Sequence, residues 1–328
     1  MTRPLPLLTL SLLLPLQAAA RPPGPFLEDF GPSLKSECFD PEGIAVDPQG
    51  RVYASSFAFA PTANVCVLDR AGRLIRTIPV PAGTAPSAAL LGMLFVPGQG
   101  LYVADFADGA APHGRLLRID AFDRVTVVTD GFAAPNAIAV DRLGRLYVSD
   151  SFAGTITRVN PDGSARITWA ADPRLTTTGQ PPFGANGLAF DRGEKFLYVA
   201  NTGDSAVLRF PVLPDGGAGP LEVFARGSDL DVATGATRSL HGADGIAFDA
   251  AGNLWVCANQ ANELQVLSPD AEIVARYRGG GTAALDFPAS LVFAGRTLYL
   301  TNLSLATGGI HSKLSAMTAP IRGARLVP

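Results

Sequence analysis

One phrase recurs along this chain and constrains its fold more than any other feature. PEGIAVDPQGRVY ends at Tyr53, APNAIAVDRLGRLY at Tyr147, GANGLAFDRGEKFLY at Tyr198 and GADGIAFDAAGNLW at Trp255. Related segments around Leu91 and Ala289 extend the series. One position, anchored at Glu42, Leu91, Asn136, Asn186, Asp244 and Ala289, then recurs at intervals of 49, 45, 50, 58 and 45 residues. A repeat of that length, with several short strands in each unit, marks a propeller whose blades bury their faces against one another. Six units fit in the chain, with no room for a seventh. The expected fold is all-β: a six-bladed β-propeller of four-stranded antiparallel blades, a single domain over residues 21–328.

Each unit reads alike. A first strand (GIAV, GMLF, AIAV, GLAF, GIAF or SLVF) leads into a turn, and four turns start on Asp47, Asp141, Asp191 and Asp249. Aspartate bonds backbone two residues on and a following glycine supplies positive φ, so these aspartates belong to the turn and not to catalysis. The second strand holds an aromatic residue in one register: Tyr53, Tyr102, Tyr147, Tyr198, Trp255 and Tyr299. These are read as packing between blades. Ala45, Ala139, Ala189 and Ala247 share a slot where six strands crowd the axis and small residues fit. Before the first unit, FLEDF (residues 26–30) is expected to close the ring as a strand against the sixth blade.

Composition agrees, with 35 glycines and 27 prolines for many tight turns. A net charge of −3 offers no basic field for a phosphate backbone, which argues against nucleic acid as a partner. Residues 1–20 read as a signal peptide: Arg3, a leucine-rich run to Leu16, and Ala18-Ala19-Ala20 as a cleavage site. No later segment offers the roughly 18 apolar residues of a membrane span. The mature chain is therefore expected to be exported, to the periplasm or beyond the cell. Export permits disulfides, and Cys38 and Cys66 could pair near the first repeat, whereas Cys257 in LWVCA reads as a small buried hydrophobe.

The informative variation is at the position before each first strand. Glu42, Asn136, Asn186 and Asp244 all bear side-chain oxygens, while Leu91 occupies the slot of blade two and Ala289, or Ser290 if the register slips, that of blade six. First strands run the same way along a propeller axis, so these four converge at one tunnel mouth. Two carboxylates and two amides suit calcium, which takes oxygen ligands in flexible geometry; zinc would want histidine or cysteine. The competing reading is that such residues only bond backbone at strand starts. Four in register favour the metal.

With those residues in view, the chain resembles the SMP-30/gluconolactonase/LRE family of six-bladed propellers, from about residue 38 to 310. The resemblance implies one axial catalytic calcium held by Glu42 in PEG, Asn136 in PNA, Asn186 in ANG and Asp244 in ADG. It also implies hydrolysis of a small-molecule lactone, ester or phosphoester, with Asp244 as base or nucleophile. One departure stands out: where sugar-lactonases of the family often place an arginine to grip substrate hydroxyls, this chain has Ala134. His241, three residues before Asp244, is a candidate acid–base group, and Asp150 and Asn201, ending second strands, are candidate supporting residues. Long loops at 171–185 and 226–243 should overhang the mouth. The alternatives are a non-catalytic NHL-like binding or sensor propeller, and a strictosidine-synthase-like propeller that lacks this ligand set.

Overall fold

The computed structural model describes residues 26–279 and 285–324; the expected signal peptide lies outside them. The chain forms six four-stranded antiparallel sheets. Their inner strands are Pro41–Val46, Leu90–Val96, Pro135–Val140, Ala185–Phe190, Ala243–Phe248 and Pro288–Ala294. Each packs against the inner strand of the next blade, and the last against the first, closing the ring. Along the axis they surround a mostly apolar cavity of about 160 Å³, lined by Ile44, Met93, Ile138, Leu188 and Ile246 among others and also by Asp191 and Glu194.

The sixth blade is built from both ends of the chain. Strand Glu28–Phe30 pairs with Lys313–Thr318, Asp29 opposite Ser315, as FLEDF predicts. Leu34 N–H donates to Ser312 O at 2.7 Å, and Lys313 and Asp29 form an ion pair at 2.6 Å. The Cys38–Cys66 disulfide ties this segment to the third strand of the first blade, Thr62–Leu68. Cys257 is a free, fully buried thiol.

The turn aspartates have the structural role expected of them. Asp141 accepts from the backbone N–H groups of Leu143 and Arg145 and from the Arg145 guanidinium. Asp47 and Asp249 anchor their own turns in the same manner. The aromatic slot does more than pack: the hydroxyls of Tyr53 and Tyr147 and the indole N–H of Trp255 donate to Asp47, Asp141 and Asp249. The repeat therefore couples each of these turns to a core aromatic further along the chain.

The inner strands begin one residue before the polar slot, so the slot is the second residue of the strand and not the residue preceding it. All six strands are bulged there. Pro41 pairs with Ser56 and Ile44 with Ala54, leaving Glu42 and Gly43 opposite Ser55 alone. The same two-against-one count recurs at 91–92, 136–137, 186–187, 244–245 and 289–290. A bulge bends its strand and re-aims a side chain that regular alternation would send elsewhere. Ala289 keeps this register in the sixth blade.

Candidate metal centre and active site

At three of the six junctions a side-chain hydroxyl ties the bulges of neighbouring blades together. In the first blade the freed Gly43 N–H donates to Ser55 Oγ at 2.7 Å, and Ser55 Oγ donates to Leu91 O of the next blade at 2.8 Å. Ser149 links Ala137 N–H to Asn186 O in the same way, and Thr301 links Ser290 N–H to Glu42 O. Where glycine follows the slot, close approach of the next blade explains it: a Cβ on Gly43 would lie 2.1 Å from Leu91 O, and one on Gly245 2.6 Å from Ala289 O. At those three junctions neighbouring slots are thus held to one another through a hydroxyl that bridges backbone groups.

Glu42, Asn136, Asn186 and Asp244 are all at most 4% exposed. Among the described residues, Glu42 Oε2 and Asp244 Oδ1 find no hydrogen-bond partner. Burial, with the charge of Asp244 added, pushes the Glu42 carboxyl well above its ordinary range. Burial also raises Asp244 to about 7, against the lowering effect of Asn259, Asn186 and the Gly245 N–H. Opposite the bulge at Asp244, the Cys257 thiol is pushed up by burial and then by both carboxylates. Two buried carboxylates with orphaned oxygens are costly unless a cation or a proton compensates them. The donor set is oxygen only, and among the described residues no three histidine, cysteine or acidic side chains gather as a metal cluster. Two acids and two amides around one axis fit a hard cation.

A second ring lies just above the slots, and the repeat does not reveal it. The residue after each second strand donates its N–H to the carbonyl two residues before the slot, at Phe57, Phe106, Ser151, Thr202, Asn259 and Leu303. Asn259 Nδ2 donates to Asp244 Oδ2 at 2.8 Å, which leaves Oδ1 as the free oxygen of that carboxylate. Thr202 Oγ1 accepts from Asn186 Nδ2 at 3.0 Å and donates to Ala243 O. The side chains expected to support the site hold other partners. Asp150 caps the N–H groups of Ala133 and Ala134, and Asn201 holds the carbonyls of Arg174 and Thr176. His241 contacts Arg238, burial lowers its pKa, and no hydrogen bond joins it to Asp244 among the described residues. The only sequence signal for the second ring is its place one residue beyond a strand end, where residue type varies too much to register as a repeat.

The long loops gain structure of their own: a 3-10 turn at Pro173–Leu175 and an α-helix at Gly227–Thr234. Both segments lead to slot strands, and Asn201, at the mouth end of its strand, pins the first.

Sequence comparison agrees with this architecture. Part of the chain is similar to the SMP-30/Gluconolactonase/LRE-like region. That family's model matches residues 160–304, which hold Asn186 and Asp244. A shorter match, to the N-terminal part of strictosidine synthase-like proteins, covers residues 35–57 around Glu42. A curated relative, 6-deoxy-6-sulfogluconolactonase from Pseudomonas putida, is 28% identical over 175 residues, 50% of this chain. The chain spans only about half of that relative too, 52% of its length. Among solved structures, a gluconolactonase from Xanthomonas campestris aligns over 93% of this chain and 98% of its own, with 18% identity and a TM-score of 0.61. A calcium-binding regucalcin from Agrobacterium tumefaciens aligns over 92% and 97%, with 17% identity and a TM-score of 0.63. At these identities the structural likeness speaks for the fold.

Proposed function

We propose that this protein is an exported, calcium-dependent hydrolase of a lactone or related ester, acting at the axial site. The observation that carries the reading is the pair of orphaned carboxylate oxygens, Glu42 Oε2 and Asp244 Oδ1, buried at one tunnel mouth with Asn136 and Asn186. The lactonase-type matches support the reaction class, and the calcium-binding neighbour supports the metal. The Cys38–Cys66 bond supports export, since disulfides persist in oxidising compartments. No described helix is long and apolar enough to cross a membrane.

Glu42, Asn136, Asn186 and Asp244 would hold the ion. Bound calcium would polarise the scissile carbonyl and favour the negative charge that develops on its oxygen. Asp244 takes the proton of the attacking water. Asn259 keeps the other oxygen of Asp244 engaged and so orients the carboxylate. The tunnel wall beyond the slots is mostly apolar, with Asp191, Arg192 and Glu194 also in its lining. Glu42 serves as a ligand.

Elemental analysis of the purified full chain should find about one calcium per molecule, the load of a single axial site. Chelation should lower both melting temperature and turnover of a lactone and aryl-ester panel. Asp244→Asn should lower kcat by about 10²–10⁴-fold, the range for a general base. Absence of calcium-dependent stabilisation would remove the metal site. Full activity in Asp244→Asn would remove only the role given to Asp244.

A further inference from the structure

The mouth above the slots is two-sided, and the sides differ in chemistry. Over blades five and six it is polar. Asn259 Oδ1, Gln260 Oε1 and Asp286 Oδ1 are buried oxygens without partners among the described residues. Over blades one to four it carries phenylalanines, and the hydroxyls of Ser151 and Thr202 beside them donate to backbone carbonyls. Phe57 and Phe106 belong to the second ring itself, Phe152 follows Ser151 of that ring, and Phe183 lies just before the strand that carries Asn186. Phe59 completes the group, 4.9 Å from Phe57 and 6.0 Å from Phe106 between ring centroids. Phe106 also meets Phe152 at 5.6 Å and Phe183 at 5.7 Å.

The rings are held mostly edge to face, so little side-chain freedom remains to be lost on binding. The wall is continuous with the slot ring: Leu91, the apolar slot of blade two, and Ala134 share one core cluster with Phe57, Phe106 and Phe183. Yet the wall is open to ligand, since Phe59 is 57% and Phe152 40% exposed. Ala134 is fully buried in this cluster. A sugar ring needs hydroxyl partners where this surface offers carbon.

We propose that the wall of Phe57, Phe59, Phe106, Phe152 and Phe183 sets the substrate class: a lactone or ester bearing an apolar alkyl or aryl substituent, not a polyhydroxylated sugar lactone. This rests on the hydrolase reading for the bond cleaved, but not for the ligand bound. The apolar substituent lies on the rings while the carbonyl reaches the axis beside Asp244.

The test is a series of γ-lactones from butyrolactone to dodecanolactone, with glucono-1,5-lactone alongside, on the calcium-supplied full chain. kcat/KM should climb with chain length, by up to about fourfold for each methylene the wall covers. In the Phe59→Ala/Phe152→Ala double variant the climb should flatten; both side chains are partly exposed, and an unchanged melting temperature would establish that the variant folds. Faster turnover of glucono-1,5-lactone than of every alkyl lactone would overturn the proposal, as would an unchanged slope in the variant. If neither these lactones nor the aryl esters are hydrolysed, the hydrolase reading fails and calorimetric binding of γ-decalactone decides for the wall. Binding about tenfold weaker in the double variant, the loss of roughly two covered methylenes, sustains it. Equal binding by the two proteins, or none by either, overturns it.

Discussion

At the scale of single residues the site is a contest between burial and charge. Glu42 and Asp244 are held above their ordinary range chiefly by loss of water, and each keeps one oxygen that no described residue satisfies. A buried acid with a raised pKa binds its proton more tightly folded than unfolded. Stability is then full below the unfolded value and falls as pH rises through the folded one. For metal-free protein that loss runs from the ordinary carboxyl range up to about 7 for Asp244, and further for Glu42. Asp172 works the other way: hydrogen bonds from Arg174 lower its pKa, so its contribution is present at neutral pH and lost in more acid solution. Chelated protein should therefore melt at a higher temperature near pH 5 than near pH 8, and added calcium should erase or reverse the difference. Melting curves across pH, with and without calcium, decide this. A metal-free protein most stable at pH 8 would contradict the burial argument.

At the scale of elements, the turn and the aromatic slot form one unit. Asp141 gathers two backbone N–H groups, the Arg145 guanidinium and the Tyr147 hydroxyl, and is almost fully buried. Burial first, and then the charge of Asp141, push the Tyr147 phenol up to about 12; Tyr53 over Asp47 is raised to about 12 as well. A raised phenol contributes stability below its unfolded pKa that is lost as pH climbs through the folded one, between roughly 10 and 12. Asp141→Ala should cost about 2–3 kcal/mol, because it strands several donors of a buried network. It should also return Tyr147 only part of the way toward its ordinary value, since burial remains. Denaturant unfolding and phenolate absorbance against pH measure the two effects. An Asp141→Ala protein with unaltered stability would reduce the repeat aspartate to decoration. The bulges belong to this scale too. Gly43, Gly92, Gly187 and Gly245 recur in the sequence one residue after their slots, but the repeat does not name their reason, which is a carbonyl of the next blade.

For the whole molecule, the decisive event is closure. Strand Glu28–Phe30 completes the last blade, and Cys38–Cys66 fastens the following segment to the first. A bond closing a loop of 28 residues removes unfolded-state freedom worth about 3–4 kcal/mol in the chain-entropy account. Reduction, or Cys38→Ala/Cys66→Ala, should lower the denaturant midpoint by a corresponding amount while far-UV spectra of the folded state stay alike. Equal midpoints for oxidised and reduced protein would show that the ring closes without its clasp.

Hydrophobic periodicity and turn chemistry act locally, and so the sequence by itself determined the blade number, the strand order within a blade, the turn aspartates and the closing strand. It also placed Glu42, Asn136, Asn186 and Asp244 in equivalent slots, because a repeat carries equivalence with it. Only the tertiary structure decided what surrounds them. The six bulges, the hydroxyl links through Ser55, Ser149 and Thr301, the Asn259 contact to Asp244 and the phenylalanine wall all join residues of different strands or different blades. Asp150 and Asn201 end the right strands to border the site, yet a strand alternates, and the residue one step further faces the slot. Contacts of that kind depend on how blades are stacked around an axis, which no single unit of the repeat encodes.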